Sequence, residues 1–76
     1  MTFRVVYADV VDVDVKRMHW RVASRACQAI EVFAAEGTGS VMRRKDGAYE
    51  LRVPGAVVLF EERNAQELHV LRILPL

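Results

Sequence analysis

Apolar and polar positions follow a strand-like spacing at the start of the chain. Residues 2–8 (TFRVVYA) are rich in β-branched and aromatic side chains, which predicts a strand. Residues 9–15 (DVVDVDV) alternate aspartate with valine. This alternation fits either an extension of the strand or an irregular link, and the pattern does not decide between them.

A helical spacing follows from Val15 to Glu36 and predicts one long helix, which a kink could interrupt. Asp14 is positioned to cap its first turn, and Gly37 is the residue type expected after its last turn. The predicted apolar face of this helix consists of Val15, Met18, Val22, Ala26, Ile30 and Phe33.

The spacing changes to two after Gly39, which predicts strands over residues 40–45, 48–53, 56–62 and 67–74. Asp46-Gly47 is a typical two-residue hairpin turn, and Pro54-Gly55 suits the next turn. Short turns between strands predict a four-stranded antiparallel meander. Together with the N-terminal strand and the helix, this gives an α+β fold in a single domain over residues 1–76.

One helix can cover only one face of such a sheet, so the other face should be open. Val57 and Leu59, or Val58 and Phe60, would then point away from the helix, which favours a homodimer or a partner protein. The residues expected to be buried are Val5, Val22, Ile30, Phe33, Leu51, Val58, Phe60 and Leu71.

Composition narrows the class of protein. The chain has 76 residues, of which 53% are hydrophobic and 28% are charged, as in an ordinary globular domain. Cys27 is the single cysteine and cannot form an internal disulfide, and its spacing from His19 and His69 is not that of a zinc site. We expect no metal and no cofactor. Without a membrane-length apolar run or an apolar signal core, we also expect a cytoplasmic protein with no membrane partner.

Charge is unevenly distributed, with eight bases against four acids in residues 16–53. Arg17, Arg21 and Arg25 recur at helical spacing and could face phosphates, an acidic protein or only solvent. The run from Arg43 through Arg44 to Lys45 could contact phosphates or protect an exposed edge strand. These six residues and Arg52 are the candidate nucleic-acid-binding positions.

No glycine-rich phosphate loop and no nucleophile with a nearby base is visible in the sequence. Arg, Lys, Tyr, Glu and His on a sheet would suit metal-independent cleavage of a phosphodiester, in which charge stabilisation does most of the work. Arg52, Tyr49 and His69 are the candidate catalytic residues.

The segment from Asp46 to Leu74 (DGAYELRVPGAVVLFEERNAQELHVLRIL) resembles the RelE/ParE superfamily of bacterial toxins. The family pattern has a Gly, a Tyr and an "LRV" strand, then a Gly turn, an apolar strand and a final "VLRI" strand. The preceding segment, RVASRACQAIEVFAAEG, is similar to the last helix before the sheet. The resemblance covers about residues 20–74.

The resemblance implies a small α+β domain with a concave, basic sheet surface. RelE-type members cut messenger RNA on the ribosome, ParE-type members inhibit DNA gyrase, and both are silenced by an antitoxin. Arg52 matches a basic position of the family, but Glu50 reverses the charge of another and Val57 replaces an arginine. The C-terminal Arg and later Tyr of RelE-type members have no counterpart up to Leu76.

Three hypotheses follow. The first is a toxin-fold protein that acts by binding an antitoxin, the ribosome or RNA, or gyrase, with weak or no RNA cleavage. The second is a small homodimeric interaction module without toxin activity. The third is an active ribosome-dependent messenger-RNA endonuclease.

Overall fold

The computed structural model describes residues 2–76. It is an α+β fold in which two helices cover one face of a mixed five-stranded sheet. In chain order the elements are β1 (Arg4–Tyr7), α1 (Asp9–Lys16), α2 (Trp20–Glu36), β2 (Val41–Arg43), β3 (Tyr49–Val53), β4 (Ala56–Asn64) and β5 (Glu67–Pro75). The predicted fold class is confirmed.

The sheet has the strand order β1-β5-β4-β3-β2. Strands β2 to β5 form the predicted antiparallel meander. Strand β1 pairs in parallel with β5, with Val5 opposite Leu68. The first and last strands are therefore neighbours, and β1 and β2 form the two edges of the sheet.

The prediction of one helix over residues 15–36 is wrong in this detail, because the chain forms two helices separated at residues 17–19. Neither alternative for residues 9–15 is right, since they belong to α1. Asp14 is not a cap: it lies within α1 and is buried. The N-cap of α2 is His19, and Gly37 ends α2 in the left-handed conformation as predicted, with φ of 75°.

The core lies between the helices and the sheet. Phe60 is central to it, with its ring centroid 5.4 Å from that of Phe33 on α2 and 5.5 Å from that of Tyr49 on β3. The buried apolar side chains of this core are Val11, Ala26, Ile30, Ala34, Leu51, Ala56, Val58, Phe60, Leu68, Val70 and Ile73.

Ile30, Leu51, Val58 and Phe60 were correctly predicted to be buried. Four other predicted core residues are only half-buried, and three of them pack at the margin of the core: Val5, Val22 and Phe33. The fourth is Leu71, which is the extra residue at a bulge, since Phe60 pairs with Val70 whereas Leu59 pairs with Arg72. The bulge changes which residues of β5 face the helices, so that Ile73 is buried in place of Leu71.

The open face of the sheet is less apolar than the sequence suggests. Val57 and Leu59 do point away from the helices, as the alternation with buried Val58 and Phe60 requires. Val57 is nevertheless only 9% exposed, between Arg52 of β3 and Leu74 of β5 in the register. The exposed apolar surface that would favour a homodimer is therefore small. Within residues 2–76, no helix is long and apolar enough to cross a membrane.

Candidate functional site

A groove of about 530 Å³ lies at the end of the β2–β3 hairpin. It contains the predicted basic run and the predicted arginine of β3. The residues that line it are Met42, Arg43, Arg44, Lys45, Asp46, Glu50 and Arg52. This basic groove is the candidate site.

The hairpin turn sets the shape of the groove. Strand β2 ends at Arg43, earlier than predicted, so that Arg44 and Lys45 belong to the turn. The Arg44 amide donates to the Ala48 carbonyl oxygen at 2.7 Å, and the Ala48 amide donates to Asp46 Oδ1 at 3.0 Å. Gly47 has a φ of 89°, a conformation that a glycine adopts without strain.

Glu50 lies between two arginines of the groove. Arg44 Nη1 donates to Glu50 Oε1 at 3.2 Å, and Arg52 Nη2 donates to Glu50 Oε2 at 3.3 Å. The Glu50 side chain is 19% exposed, so these pairs are partly shielded from water. Arg44 also pairs with Asp46 at 3.4 Å. The carboxylate thus occupies the position at which both guanidinium groups could otherwise hold a phosphate.

The remaining bases of the groove are free of such pairs. In the described part of the chain, Arg43 and Lys45 form no salt bridge. Four bases and two acids line the groove, giving a net charge of +2. The groove is therefore mildly attractive to anions, although two of its arginines, Arg44 and Arg52, are already paired with carboxylates.

The other two candidate catalytic residues, Tyr49 and His69, do not lie beside Arg52. Tyr49 lies on the helix-facing side of β3, stacked on Phe60 at the edge of the core. His69 is on the open face of β5, paired with Glu61 in the register and within 3.2 Å of Glu67. Arg52 lies in the same cross-strand row as Leu74 of β5. His69 is five positions before Leu74, so roughly 15 Å along the strand direction separates His69 from the row of Arg52. The catalytic roles of these residues stay predictions.

The predicted arginine stripe is divided by the helix break. Arg17 follows α1, whereas Arg21 and Arg25 lie on α2. Arg25 Nη1 donates to the carbonyl oxygen of Pro54 at 2.9 Å, which ties α2 to the turn between β3 and β4. Trp20, which is not among the residues predicted from the sequence, is 68% exposed beside Arg21. Its single large aromatic ring within a basic segment is the signal that could have indicated it.

No protein-family model matches the sequence, and no curated protein matches it. The structure is similar to a chain in the crystal structure of the RelBE2 toxin–antitoxin complex from Mycobacterium tuberculosis. The TM-score is 0.71, the sequence identity is 15%, and the similarity covers 100% of both chains. The chain therefore has a RelE-type toxin fold.

Proposed function

We propose that this protein is the toxin-fold member of a toxin–antitoxin pair and that it acts by binding, with little or no cleavage of messenger RNA. The similarity to a chain of a toxin–antitoxin complex over the full length of both chains supports the assignment to such a pair. An antitoxin-like protein is then the expected partner. Such a pair would act in the cytoplasm, where the ribosome, messenger RNA and gyrase are found.

The position of Glu50 between Arg44 and Arg52 is the observation that carries the proposal. Cleavage of a phosphodiester builds negative charge on the phosphate oxygens and the leaving oxygen, and a catalytic site needs several free donors there. Removing one such donor typically lowers the rate by about 10²–10³. Here two arginines are engaged by one carboxylate, and that carboxylate would itself repel the phosphate.

The residue at position 57, a valine, also argues against efficient cleavage. It faces the same side of the sheet as Arg52 and is its register partner, so it occupies a place from which a cation could reach the same ligand. A valine donates no hydrogen bond and carries no charge. Arg43 and Lys45, with weaker help from the paired Arg44 and Arg52, would give salt-sensitive association with a polyanion.

The partnership is tested by co-expression of the tagged chain with the product of each adjacent reading frame. We expect one of these products to co-purify in a fixed stoichiometry and to relieve any growth defect that the chain alone produces. The tag expressed without the chain is the control. If neither adjacent product binds, the assignment to a toxin–antitoxin pair fails.

A further inference from the structure

A second exposed cluster lies where α1 gives way to α2, on the helical layer rather than on the open face of the sheet. We call it the helix-junction patch and define it as Arg17, His19, Trp20 and Arg21. Trp20 is the first residue of α2 and is 68% exposed, although an indole is among the side chains with most apolar surface to bury. An exposed aromatic plane of this kind is available to a ligand.

Two planar groups lie beside the indole. The Arg21 guanidinium carbon is 5.3 Å from the centroid of the Trp20 ring, a cation–π distance. The His19 ring is 6.0 Å from it, at an interplanar angle of 23°. His19 Nδ1 accepts the backbone N–H of Arg21 at 3.1 Å, which fixes the imidazole beside Trp20 and leaves its other nitrogen free. The patch is therefore partly ordered before any ligand arrives.

The segment that carries the patch is wholly basic. Residues 15–30 contain four bases and no acid. Lys16 is engaged by Asp12 at 2.8 Å, but neither Arg17 nor Arg21 forms a salt bridge with any residue between 2 and 76. The exposed Arg21 guanidinium thus lies beside the indole, and the exposed Arg17 lies three residues before it in the chain; unlike Arg44 and Arg52 in the basic groove, neither is held in a salt bridge within the described residues.

We propose that the helix-junction patch binds single-stranded nucleic acid, with a base stacked on Trp20 and the adjoining phosphates held by Arg17 and Arg21. Aromatic stacking combined with backbone neutralisation is the general chemistry of single-strand recognition, and it tolerates any base because every base has a flat face. Bases in a duplex are already stacked on one another, so a duplex would offer the patch only its phosphates. The carboxylates of an acidic peptide could satisfy the arginines, but they offer no flat ring to match the indole.

The site is independent of the proposed function, because it lies on the helices and shares no residue with the basic groove. Trp20 is the only tryptophan of the chain, so its fluorescence reports on this patch alone. We expect oligo(dT) and oligo(U) of about 12 nucleotides to quench it, since that length is within the range that small single-strand-binding domains occupy. Contact with two phosphates predicts a log–log salt slope of about −1.4.

Substitutions of Trp20 test whether the patch binds the oligonucleotide by stacking. Binding is measured by the fluorescence anisotropy of a labelled oligonucleotide. Trp20→Ala should weaken binding about tenfold, the usual order for loss of one stacked base, and Trp20→Phe should restore part of it. Arg63→Ala, which removes a base of β4 outside both the basic groove and the patch, is the matched control and should leave the Trp20 quenching unchanged. A stronger response to oligo(U) than to oligo(dT) would identify RNA as the ligand, and the reverse would identify DNA.

Three outcomes would overturn the proposal. The first is a lack of quenching by either oligonucleotide at low salt, and the second is equal affinity of Trp20→Ala and the parent chain. The third is a response to an oligoglutamate peptide but to neither oligonucleotide, which would make the patch a surface for acidic proteins. Trp20 is exposed, so its replacement should not unfold the chain, and circular dichroism checks this.

Discussion

Asp14 is the buried carboxylate of the described chain, and both of its oxygens accept hydrogen bonds. Arg72 donates to it through Nε and Nη2, each at 2.8 Å, and the backbone N–H of Ile73 donates to Oδ2 at 3.1 Å. Strand β1 ends at Tyr7, opposite Val70, so Ile73 has no strand partner on that side. Asp14 therefore accepts the backbone N–H of the part of β5 that β1 does not reach, and it attaches α1 to that strand.

Replacement of Asp14 by Asn should lower the free energy of unfolding by about 1–3 kcal/mol, because a charge-assisted pair and its geometry are lost. The hydrogen bonds from Arg72 hold the pKa of Asp14 below its ordinary value of 3.8, and the Ile73 N–H adds to this effect. A depressed pKa contributes stability that is complete above the ordinary value and is lost as the pH falls through the folded one.

The difference between the parent chain and Asp14→Asn should accordingly shrink in urea titrations as the pH falls from 7 to below 3.8. Asp12→Asn is the control, since Asp12 lies on the same helix in an exposed pair with Lys16 and should matter little. A gap that is constant with pH would contradict the assigned role of the carboxylate.

Glu50 should limit the affinity of the basic groove for polyanions. In a Trp20→Ala background, which removes stacking at the helix-junction patch, Glu50→Gln should raise oligonucleotide affinity about threefold, as expected for the loss of one nearby like charge in water. Anisotropy at low and high salt measures this. Glu61→Gln removes a carboxylate that pairs with Arg63 outside the groove and should have a smaller effect. Equal effects of the two substitutions would show that only net charge matters.

At the scale of elements, the break between α1 and α2 depends on residues 17–19. Arg17 is the C-cap of α1 and keeps a right-handed helical conformation, and the Met18 amide donates to the Val15 carbonyl oxygen at 3.3 Å, which tightens the final turn. His19 then adopts an extended conformation, with φ of −57° and ψ of 135°, and caps α2. The break redirects the chain so that α1 reaches β5 while α2 crosses the sheet.

His19→Ala should cost about 1 kcal/mol of stability, the usual cost of losing an N-cap side chain. His19→Asp keeps an acceptor at the same place and adds a charge that suits the N-terminal end of a helix, so it should recover this loss. Chemical denaturation of the two variants provides the comparison. Equal stability of both variants would show that the imidazole does not act as a cap.

The sequence predicted the meander well and the first helix poorly, for local reasons. The Asp46-Gly47 and Pro54-Gly55 pairs mark turns by conformational preference alone. In α1 the aspartate–valine alternation suggested a spacing of two, whereas Val11, Val15 and Met18 follow helical spacing and pack on the core. No glycine or proline marks the break, and the partner of Asp14 lies 58 residues away. Such a long-range pair leaves no trace in a local pattern.

The basic residues of the candidate site could be predicted from the sequence, but their pairing with Glu50 could not. The sequence indicated Arg43, Arg44, Lys45 and Arg52 as a basic group, and the structure brings all four to one groove. It could not show that Glu50 would bridge Arg44 and Arg52, because that depends on the turn placing Arg44 beside β3. The parallel pairing of β1 with β5 was equally out of reach, since it joins the two ends of the chain.

At the scale of the whole molecule, stability depends on one small core. Ile30→Ala or Phe60→Ala should lower the free energy of unfolding by about 2–5 kcal/mol, enough to unfold a domain of this size, because each side chain is at most 1% exposed. Val32→Ala on the same helix, at a side chain 36% exposed, should cost much less. The melting temperatures of the three variants measure these differences in stability. Parent-like melting of both core variants would show that the core is wrongly placed.

The central proposal is that this protein, which has a RelE-type fold, binds a partner but does not cut messenger RNA efficiently. The most direct test is to map messenger-RNA ends in cells that express the chain without any antitoxin, beside cells that express Arg52→Ala. The pairing of Arg44 and Arg52 with Glu50 predicts no defined cuts and no difference between the parent chain and Arg52→Ala. Strong growth arrest with cuts at defined positions, abolished by Arg52→Ala, would show that the chain is a working endonuclease and would contradict the proposed function.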